Sequence, residues 1–364
     1  MRTKLIAALL AVLTTLGGLN LFQSIKKRMM PESEAKTYVV SHKRTDRVVV
    51  QKREGNRERI LIRVGGEIET TVKTDIMLES VVKISSGTES MISERFTVDR
   101  GDNLIVTISH ADVEIETGSS SEAEVEVRLD AYRSEKAREQ FKRMNWRVYQ
   151  DGDDVVVLAD EVRGNWNVDM DISVHILIPS EFNVDLETSH GDLELGNLRG
   201  TLKMTSSHGD VHTADVEGDR IWVQTSHGRI SGGDFSAPWV DVQTSHADIA
   251  MNSVNSKEFN ATTSHADIDI ESVVGVSRIV TSHGDVSVEL DSADGAQIET
   301  EHGDVELRIN AKTGYDLDVR AEEVSISSSL DVSGRMGEDF VDGSIAGGGA
   351  QIRVRTTHGE ISVN

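Results

Sequence analysis

The segment Thr188-Ser189-His190-Gly191-Asp192-Leu193-Glu194-Leu195 is one copy of a motif that recurs through the C-terminal half of this sequence. The pattern is Thr or Ser, Ser, His, Gly or Ala, Asp, then an apolar residue. It returns around His208, His227, His246, His265, His283 and His302. Each of these histidines follows the previous one by a nearly constant 18–19-residue step, starting at His190. A fixed short period is typical of repeat proteins, in which each unit stacks on the next.

The motif also occurs at both margins of this array. His110 lies in a shorter copy, and the interval from His110 to His190 is not a whole number of steps. We therefore expect residues 91–180 to form a β-rich cap module, with one short capping helix over residues 134–146. The interval from His302 to His358 is close to three further steps, and residues 319–326 show one of the missing steps without its histidine.

Each repeat shows the alternation of a half-buried strand. Val184, Leu186 and Thr188 share one parity, whereas Leu193 and Leu195 have the other, so the chain must bend at the motif if both strands face one interior. An 18–19-residue repeat corresponds to a perimeter of roughly 60 Å. We predict an all-β fold, a single-chain parallel β-solenoid (β-helix) with 18–19-residue coils over residues 181–364. Its last coil would leave the C-terminal end thinly covered.

Residues 1–23 have the composition of a targeting segment. Arg2 and Lys4 precede an apolar run over residues 5–22, which is long for a signal-peptide core and short for a spanning helix. We predict an N-terminal apolar targeting helix, either a signal peptide or a signal anchor that attaches the protein to the membrane. Residues 24–90 are predicted to be a basic, partly ordered linker. The basic residues that directly follow the run would favour a cytoplasmic flank.

Charge is unevenly distributed along the chain. Residues 1–63 carry a net charge of +9 and the remainder carries −33. Phosphate backbones require a basic surface, so the acidic part argues against nucleic acid as a partner. The chain has no cysteine and few aromatic residues, which suits a thin core of stacked aliphatic side chains.

Stacked repeats would align the histidines in a column on one edge, beside a column of aspartates. The aspartates are Asp192, Asp210, Asp248, Asp267, Asp285 and Asp304. A structural interpretation is favoured, in which each Asp bonds backbone amides of the bend, each His stacks on its neighbours, and the Gly or Ala position must be small. An alternative is a metal site built from His190, His208, His227, His246, His265, His283, His302 and these aspartates.

A catalytic interpretation is the weakest of the three. Ser189, His190 and Asp192 have the residue types of a hydrolase triad, but so has nearly every repeat, and neighbours on one bend rarely reach triad geometry. We therefore assign no catalytic residue and no cofactor. Trp222 and Trp239 begin strands in consecutive repeats, where they could form an exposed aromatic pair.

The sequence resembles the putative-adhesin family of bacterial envelope proteins. The matching segments are residues 96–104, Val174-His175-Ile176-Leu177-Ile178-Pro179, the repeated bends, residues 343–349, residues 352–354 and residues 357–361. The resemblance covers about residues 90–364. It implies β-strand repeats akin to autotransporter adhesin heads, export from the cytoplasm and no catalytic residues.

These observations predict a non-enzymatic protein of the cell envelope, periplasmic or at the cell surface, that acts as an adhesin-like binding or structural module. The expected partners are the membrane, through residues 5–22, and either a surface ligand or a second copy at the solenoid ends. A self-assembling β-helical scaffold is the alternative, followed by a metal-binding or carbohydrate-active β-helix protein.

Overall fold

The computed structural model describes residues 47–54, 57–64, 67–73, 89–130, 134–160 and 170–364. The predicted targeting segment and much of the predicted linker lie outside these ranges. Within them, no helix has both the length and the apolar character needed to cross a membrane. The chain divides into two compact units. The first contains an antiparallel sheet of three strands, β1 (Arg47–Glu54), β2 (Arg57–Val64) and β3 (Glu67–Lys73).

In the residues of the second unit that the structure describes, one helix accompanies the strands. Its N-terminal elements are β4 (Glu89–Thr97), β5 (Asn103–His110), β6 (Asp112–Gly118), β7 (Glu122–Leu129), α1 (Glu135–Arg143), β8 (Arg147–Asp151), β9 (Asp154–Leu158) and β10 (Ile172–Pro179). The predicted helix over residues 134–146 is thus confirmed in a shorter form. It ends where Asn145 adopts a positive φ of 47°, a backbone conformation that closes helices.

Strands of 2–14 residues then follow one another to the end of the chain. They are β11 (Asn183–His190), β12 (Leu193–Leu195), β13 (Leu198–Arg199), β14 (Leu202–Thr205), β15 (Val211–Thr213), β16 (Val216–Glu217), β17 (Arg220–Gln224), β18 (Ile230–Ser236), β19 (Trp239–Gln243), β20 (Ile249–Thr262), β21 (Ile268–Val280), β22 (Val286–Glu299), β23 (Val305–Ile309), β24 (Tyr315–Arg320), β25 (Glu323–Ile326), β26 (Val332–Met336), β27 (Phe340–Ile345), β28 (Ala350–Arg355) and β29 (Glu360–Val363). Together with β4–β10 they form one 26-stranded sheet.

Strand pairing follows the sequence period through the regular part of this sheet. Leu193 pairs in parallel with Val211 of the next repeat, and Val211 pairs with Ile230 of the repeat after that. The segment before each histidine pairs in the same way, as Leu202 does with Ile221. A third series of parallel pairs joins Leu198 to Val216 and continues through β18, β20 and β21 to β22.

The sheet is mixed rather than wholly parallel. β8 and β9 form an antiparallel pair, and β27 runs antiparallel to both β24 and β26. The parallel solenoid predicted for residues 181–364 is therefore wrong at β24, β26 and β27. The physical reason is local, because short connections join antiparallel strands, whereas a parallel neighbour requires a long crossover.

The order of the last repeats also differs from their order in the sequence. β28 lies between β22 and β24, and β29 lies between β23 and β25. His358 therefore pairs directly with His302, and the repeat without a histidine, residues 315–326, is the layer beyond them. The expectation that the final repeat leaves the C-terminal end thinly covered is wrong, because the chain's last two strands are flanked on both sides.

The core is a single stack of inward-facing side chains. Val184, Leu186 and Thr188 before the bend and Leu193 and Leu195 after it are all buried, as their change of parity predicted. Most of this interior is Val, Ile and Leu, and its largest fully buried side chains are Tyr315, Phe182, Phe235 and Phe259. The alternate residues face outward. Equivalent outward-facing side chains of successive repeats therefore lie above one another in columns on the surface.

Candidate functional site

The histidines of the repeated motif form one continuous column of stacked rings. We call it the histidine edge, and its members are His110, His190, His208, His227, His246, His265, His283, His302 and His358. Adjacent ring centroids lie 4.5–5.3 Å apart and adjacent planes differ by 2–7°. The spacing matches the distance between neighbouring strands, ~4.8 Å, because each ring is carried by its own layer of the sheet.

Two members of the edge were outside the set proposed from sequence. His110 stacks on His190, and His358 stacks on His302. Both lie in recognisable copies of the motif, so the motif itself was the available signal. Spacing concealed them, since the residues between each of them and the regular array pair on its far side, as β9 does with β5 and β24 does with β28.

The threonine that opens the motif anchors the bend from inside. The hydroxyl of Thr225 donates to the backbone carbonyl of Gly209 at 3.2 Å, and Thr244 donates to Gly228 at 3.1 Å. Equivalent bonds join Thr263, Thr281, Thr300 and Thr356 to the preceding layer. These threonines are buried. Each hydroxyl thereby satisfies a carbonyl at the bend and ties one layer to the next.

The aspartates of the motif form a second ladder between layers. Oδ1 of Asp192 accepts a hydrogen bond from the backbone amide of Asp210 at 2.9 Å, and Oδ1 of Asp285 accepts from the amide of Asp304 at 2.8 Å. The same bond recurs from Asp112, Asp210, Asp248, Asp267 and Asp304. The structure thus supports the interpretation that Asp serves the bend. A carboxylate bonded to an amide is a charge-assisted contact, stronger than a neutral one.

One copy of the motif has Arg229 in the aspartate position. The amide of Arg229 still donates to Asp210 at 2.7 Å. Its guanidinium lies 3.6 Å from the carboxylate of Asp248 in the next layer. The ladder therefore lacks one carboxylate at this layer. The ion pair between Arg229 and Asp248 replaces the amide contact that this carboxylate would have made.

The small residue after each histidine sits where neighbouring backbones come closest. A Cβ added at Gly209 would lie 1.7 Å from the carbonyl oxygen of Gly191, and one at Gly228 would lie 1.8 Å from that of Gly209. Ala247 and Ala266 fill the same position, and the ring spacing of the layers that follow them widens to 5.2 and 5.3 Å. Small size is thus what most of these bends require, as the sequence indicated.

The rings are held by their Nδ1 atoms where a contact is resolved. Nδ1 of His227 lies 3.2 Å from the carbonyl oxygen of Ser207, and Nδ1 of His246 lies 3.2 Å from that of Ser226. A carbonyl can only accept, so these Nδ1 atoms carry the proton. In the neutral ring the lone pair then belongs to Nε2. All members of the edge except His110 are largely exposed to solvent.

The geometry separates the three interpretations of the motif. Within the described layers from His190 to His358, no serine hydroxyl of the motif bonds a ring of the edge, so a serine–histidine catalytic pair has no geometric support there. Across the part of the chain that the structure describes, no group of three or more His, Asp or Glu side chains is arranged to hold a metal ion. The structural interpretation accounts for the Thr, Gly and Asp positions of the motif, but it assigns no role to the exposed ring nitrogens.

A second surface lies on the strands before the bend. Trp222 and Trp239 are half-buried rather than fully exposed, and they are offset, since Trp222 pairs with Asp241 and Trp239 pairs with Arg220. The Arg220 guanidinium stacks on the Trp239 ring at 4.4 Å, a cation–π contact. A groove of about 380 Å³ beside Trp222 is also lined by Ile105, Asn183 and Lys203.

Asp241 on this surface gives a pH-dependent prediction. Burial raises the pKa of its carboxyl and the charge of Glu258 raises it further, whereas the hydrogen bond from Gln243 lowers it. The folded state therefore holds this proton more tightly than the unfolded state, and stability contributed by the site is lost as pH rises above the ordinary range of about 4. We expect Asp241→Asn, which keeps an acceptor for Gln243, to raise the free energy of unfolding at pH 7 by up to about 0.5 kcal/mol, a small gain because solvent screens a half-buried group.

Urea unfolding at pH 7 and at pH 3.5 checks this expectation. The gain should vanish at the lower pH, where the wild-type carboxyl is protonated. Asp269→Asn is the control, because Asp269 is exposed and its removal changes net charge equally. An equal gain in both variants at pH 7 would show that net charge, rather than burial of Asp241, is responsible.

A third feature was not recognised from sequence. Nδ1 of His212 lies 2.8 Å from Oγ of Ser231 in the next layer, at one wall of a groove of about 400 Å³ that Gly233, Asn252 and Glu271 also line. His212 lies outside the repeated motif. Its outward position, shortly after Asp210, was the only signal available.

Residues 101–364 match the family described as Toastrack DUF4097. No curated protein matches.

Solved structures similar to this chain share little sequence with it. A "putative adhesin" from Parabacteroides merdae ATCC 43184 has 12% identity and a TM-score of 0.45 over 75% of this chain and 95% of its own. One from Parabacteroides distasonis ATCC 8503 has 11% identity and a TM-score of 0.44 over 75% and 96%. A "putative lipid binding protein" from the same organism has 11% identity and a TM-score of 0.34 over 76% and 97%. Scores this low carry no inference about function.

The family match agrees with the resemblance found in the sequence, and it covers the repeats, the bends and the histidine edge. This chain belongs to the Toastrack DUF4097 family.

Proposed function

We propose that this protein is a non-enzymatic module of the cell envelope, adhesin-like or structural, whose repeats are wound as a parallel β-solenoid with 18–19-residue coils. The observation that carries the proposal is the use of the recurring motif. Its Thr, Gly and Asp positions all serve contacts between layers, so the repeated motif has an architectural role. What remains for function is the outer surface of the coils.

The coil length is supported by register. Partners in the regular part of the sheet lie one 18–19-residue step apart in three separate series, for example Leu193 with Val211, Ile221 with Val240 and Val216 with Phe235. A three-sided coil produces three series with one period, because each side of one coil stacks on the corresponding side of the next coil.

Deleting one coil tests the winding. Removal of residues 228–246, which joins His227 to Ala247 and takes out one complete coil, should leave a cooperatively folding protein shorter by one layer. Removal of residues 228–237 is the matched control, since it takes out about half a coil and turns the following strands out of register. The proposal fails if the two deletions lower the urea midpoint equally.

Location is proposed from the family resemblance and from the apolar run over residues 5–22. A compartment-sensitive reporter fused after Asn364 in a bacterial host should report export. A cytoplasmic reporter would overturn the envelope assignment and would leave a self-assembling scaffold as the alternative, to be tested by sedimentation of the full chain.

A further inference from the structure

The histidine edge presents a regular row of potential metal ligands. For His227 and His246 the proton is on Nδ1, held by a backbone carbonyl at 3.2 Å. A hydrogen bond of this kind fixes ring orientation and makes the other nitrogen a better ligand. Nε2 is that nitrogen, and both rings are exposed. Imidazole nitrogen is a preferred ligand of zinc, copper and nickel, but not of magnesium or calcium.

Neighbouring rings of one chain do not share an ion in this geometry. A zinc–nitrogen bond is about 2.0–2.1 Å, so two nitrogens on one ion are at most about 4.2 Å apart. The rings are 4.5–5.3 Å apart and nearly parallel, and their lone pairs point in parallel rather than towards a common point. Each Nε2 therefore offers one bond to its own ion, which agrees with the lack of a three-ligand group among the described residues.

A second copy of the chain supplies the further ligand that a single histidine edge cannot give to each ion. An ion held by one imidazole still has positions to fill, and a row of ligands is matched best by another row of the same spacing. Two edges of this protein have the same spacing because both derive it from the strand repeat. Cations between them would also offset the repulsion of two chains whose residues 64–364 each carry a net charge of −33.

We propose that the histidine edge binds divalent transition-metal ions, with Zn²⁺ as the representative, between two copies of this chain. Each ion takes one Nε2 from each copy, and water fills its remaining positions. The inference goes beyond the proposed envelope function and does not depend on it, because edge-to-edge pairing can occur in any compartment.

Sedimentation velocity of the full chain tests the proposal. Titration with ZnCl₂ should convert monomer to dimer, and EDTA should reverse the change. In the triple variant His208→Asn, His227→Asn, His246→Asn, the zinc concentration at half-dimerisation should rise at least about tenfold, since even the loss of a second-shell partner lowers metal affinity about 10–100-fold. His175→Asn with His212→Asn is the control, since both histidines lie outside the edge, and it should dimerise as the wild type does.

Three outcomes would overturn the proposal. They are a wild type that stays monomeric at every zinc concentration, a triple variant that dimerises as readily as the wild type, and equal dimerisation with MgCl₂, which would show pairing through carboxylates. If the triple variant does not fold, as judged by circular dichroism, ¹⁵N spectra of the wild-type imidazoles decide. Zinc must then shift the Nε2 resonances of the edge histidines. Nε2 resonances that zinc leaves unshifted would contradict the proposal.

Discussion

Deletion of residues 350–364 is expected to abolish cooperative folding of the C-terminal repeats, rather than merely to shorten the protein. These residues form β28 and β29, which lie inside the sheet between β22–β23 and β24–β25. Their removal takes away the parallel partners of two layers at once. It also removes Ile352, Val354, Ile361 and Val363, each fully buried.

The size of the effect follows from burial. Burying an aliphatic side chain of this size contributes about 1.5–3 kcal/mol, so four of them contribute roughly 6–12 kcal/mol as an upper estimate. Domains are stable by only about 5–15 kcal/mol in total. Layers formed by residues 310–349 would therefore lose their attachment, and we expect them to become sensitive to protease while the earlier repeats stay protected.

Limited proteolysis followed by mass spectrometry locates the unfolded part, and urea unfolding measures the loss. Two substitutions on β28 serve as a matched pair, because Val354 is buried and Gln351 is exposed. Val354→Ala should cost about 1–3 kcal/mol, and Gln351→Ala should change stability by less than about 0.5 kcal/mol. A truncated protein that retains the protection of residues 310–349 would contradict the order of layers described above.

That order shows where sequence reasoning reached its limit. The period of the motif predicted which residues pair in the regular repeats, because a constant step leaves one register that buries every apolar residue. Between His302 and His358 the step is interrupted, and several orders of stacking bury the same side chains. The choice among them depends on the antiparallel hairpin of β26 and β27, whose residues show no motif.

The candidate site was predictable to the same extent. The column of histidines and the amide-bonding aspartates follow from repetition, since identical residues at one position of stacked layers must lie above one another. The nitrogen that faces solvent does not follow from it. For His227 and His246 it is set by the carbonyls of Ser207 and Ser226, and that contact depends on the rotation of each ring.

Among the glycines that follow the histidines of the edge, Gly209 lies closest to the backbone of the neighbouring layer, so it should be the most sensitive to a larger side chain. Its Cβ would lie 1.7 Å from the carbonyl oxygen of Gly191 and 2.5 Å from the carbonyl carbon. Both are backbone atoms and belong to a layer held by the Asp192–Asp210 bond. We expect Gly209→Val to lower the free energy of unfolding by about 3 kcal/mol, the upper end of the usual cost of overpacking, because the atoms that its side chain meets are backbone.

Ala247→Gly provides the matched control at the equivalent bend. The bend there already holds an alanine at a ring spacing of 4.7 Å to the preceding layer, so its replacement should cost no more than about 1 kcal/mol, from added freedom of the unfolded chain. Gly209→Ala should fall between the two, because Ala247 and Ala266 show that a bend of this motif accepts a methyl group. The urea midpoints of the three variants are compared, with the same dependence of the unfolding free energy on urea concentration used for all three. If Gly209→Val and Ala247→Gly unfold at the same midpoint, close approach does not constrain the bend, and the repeated glycine needs another explanation.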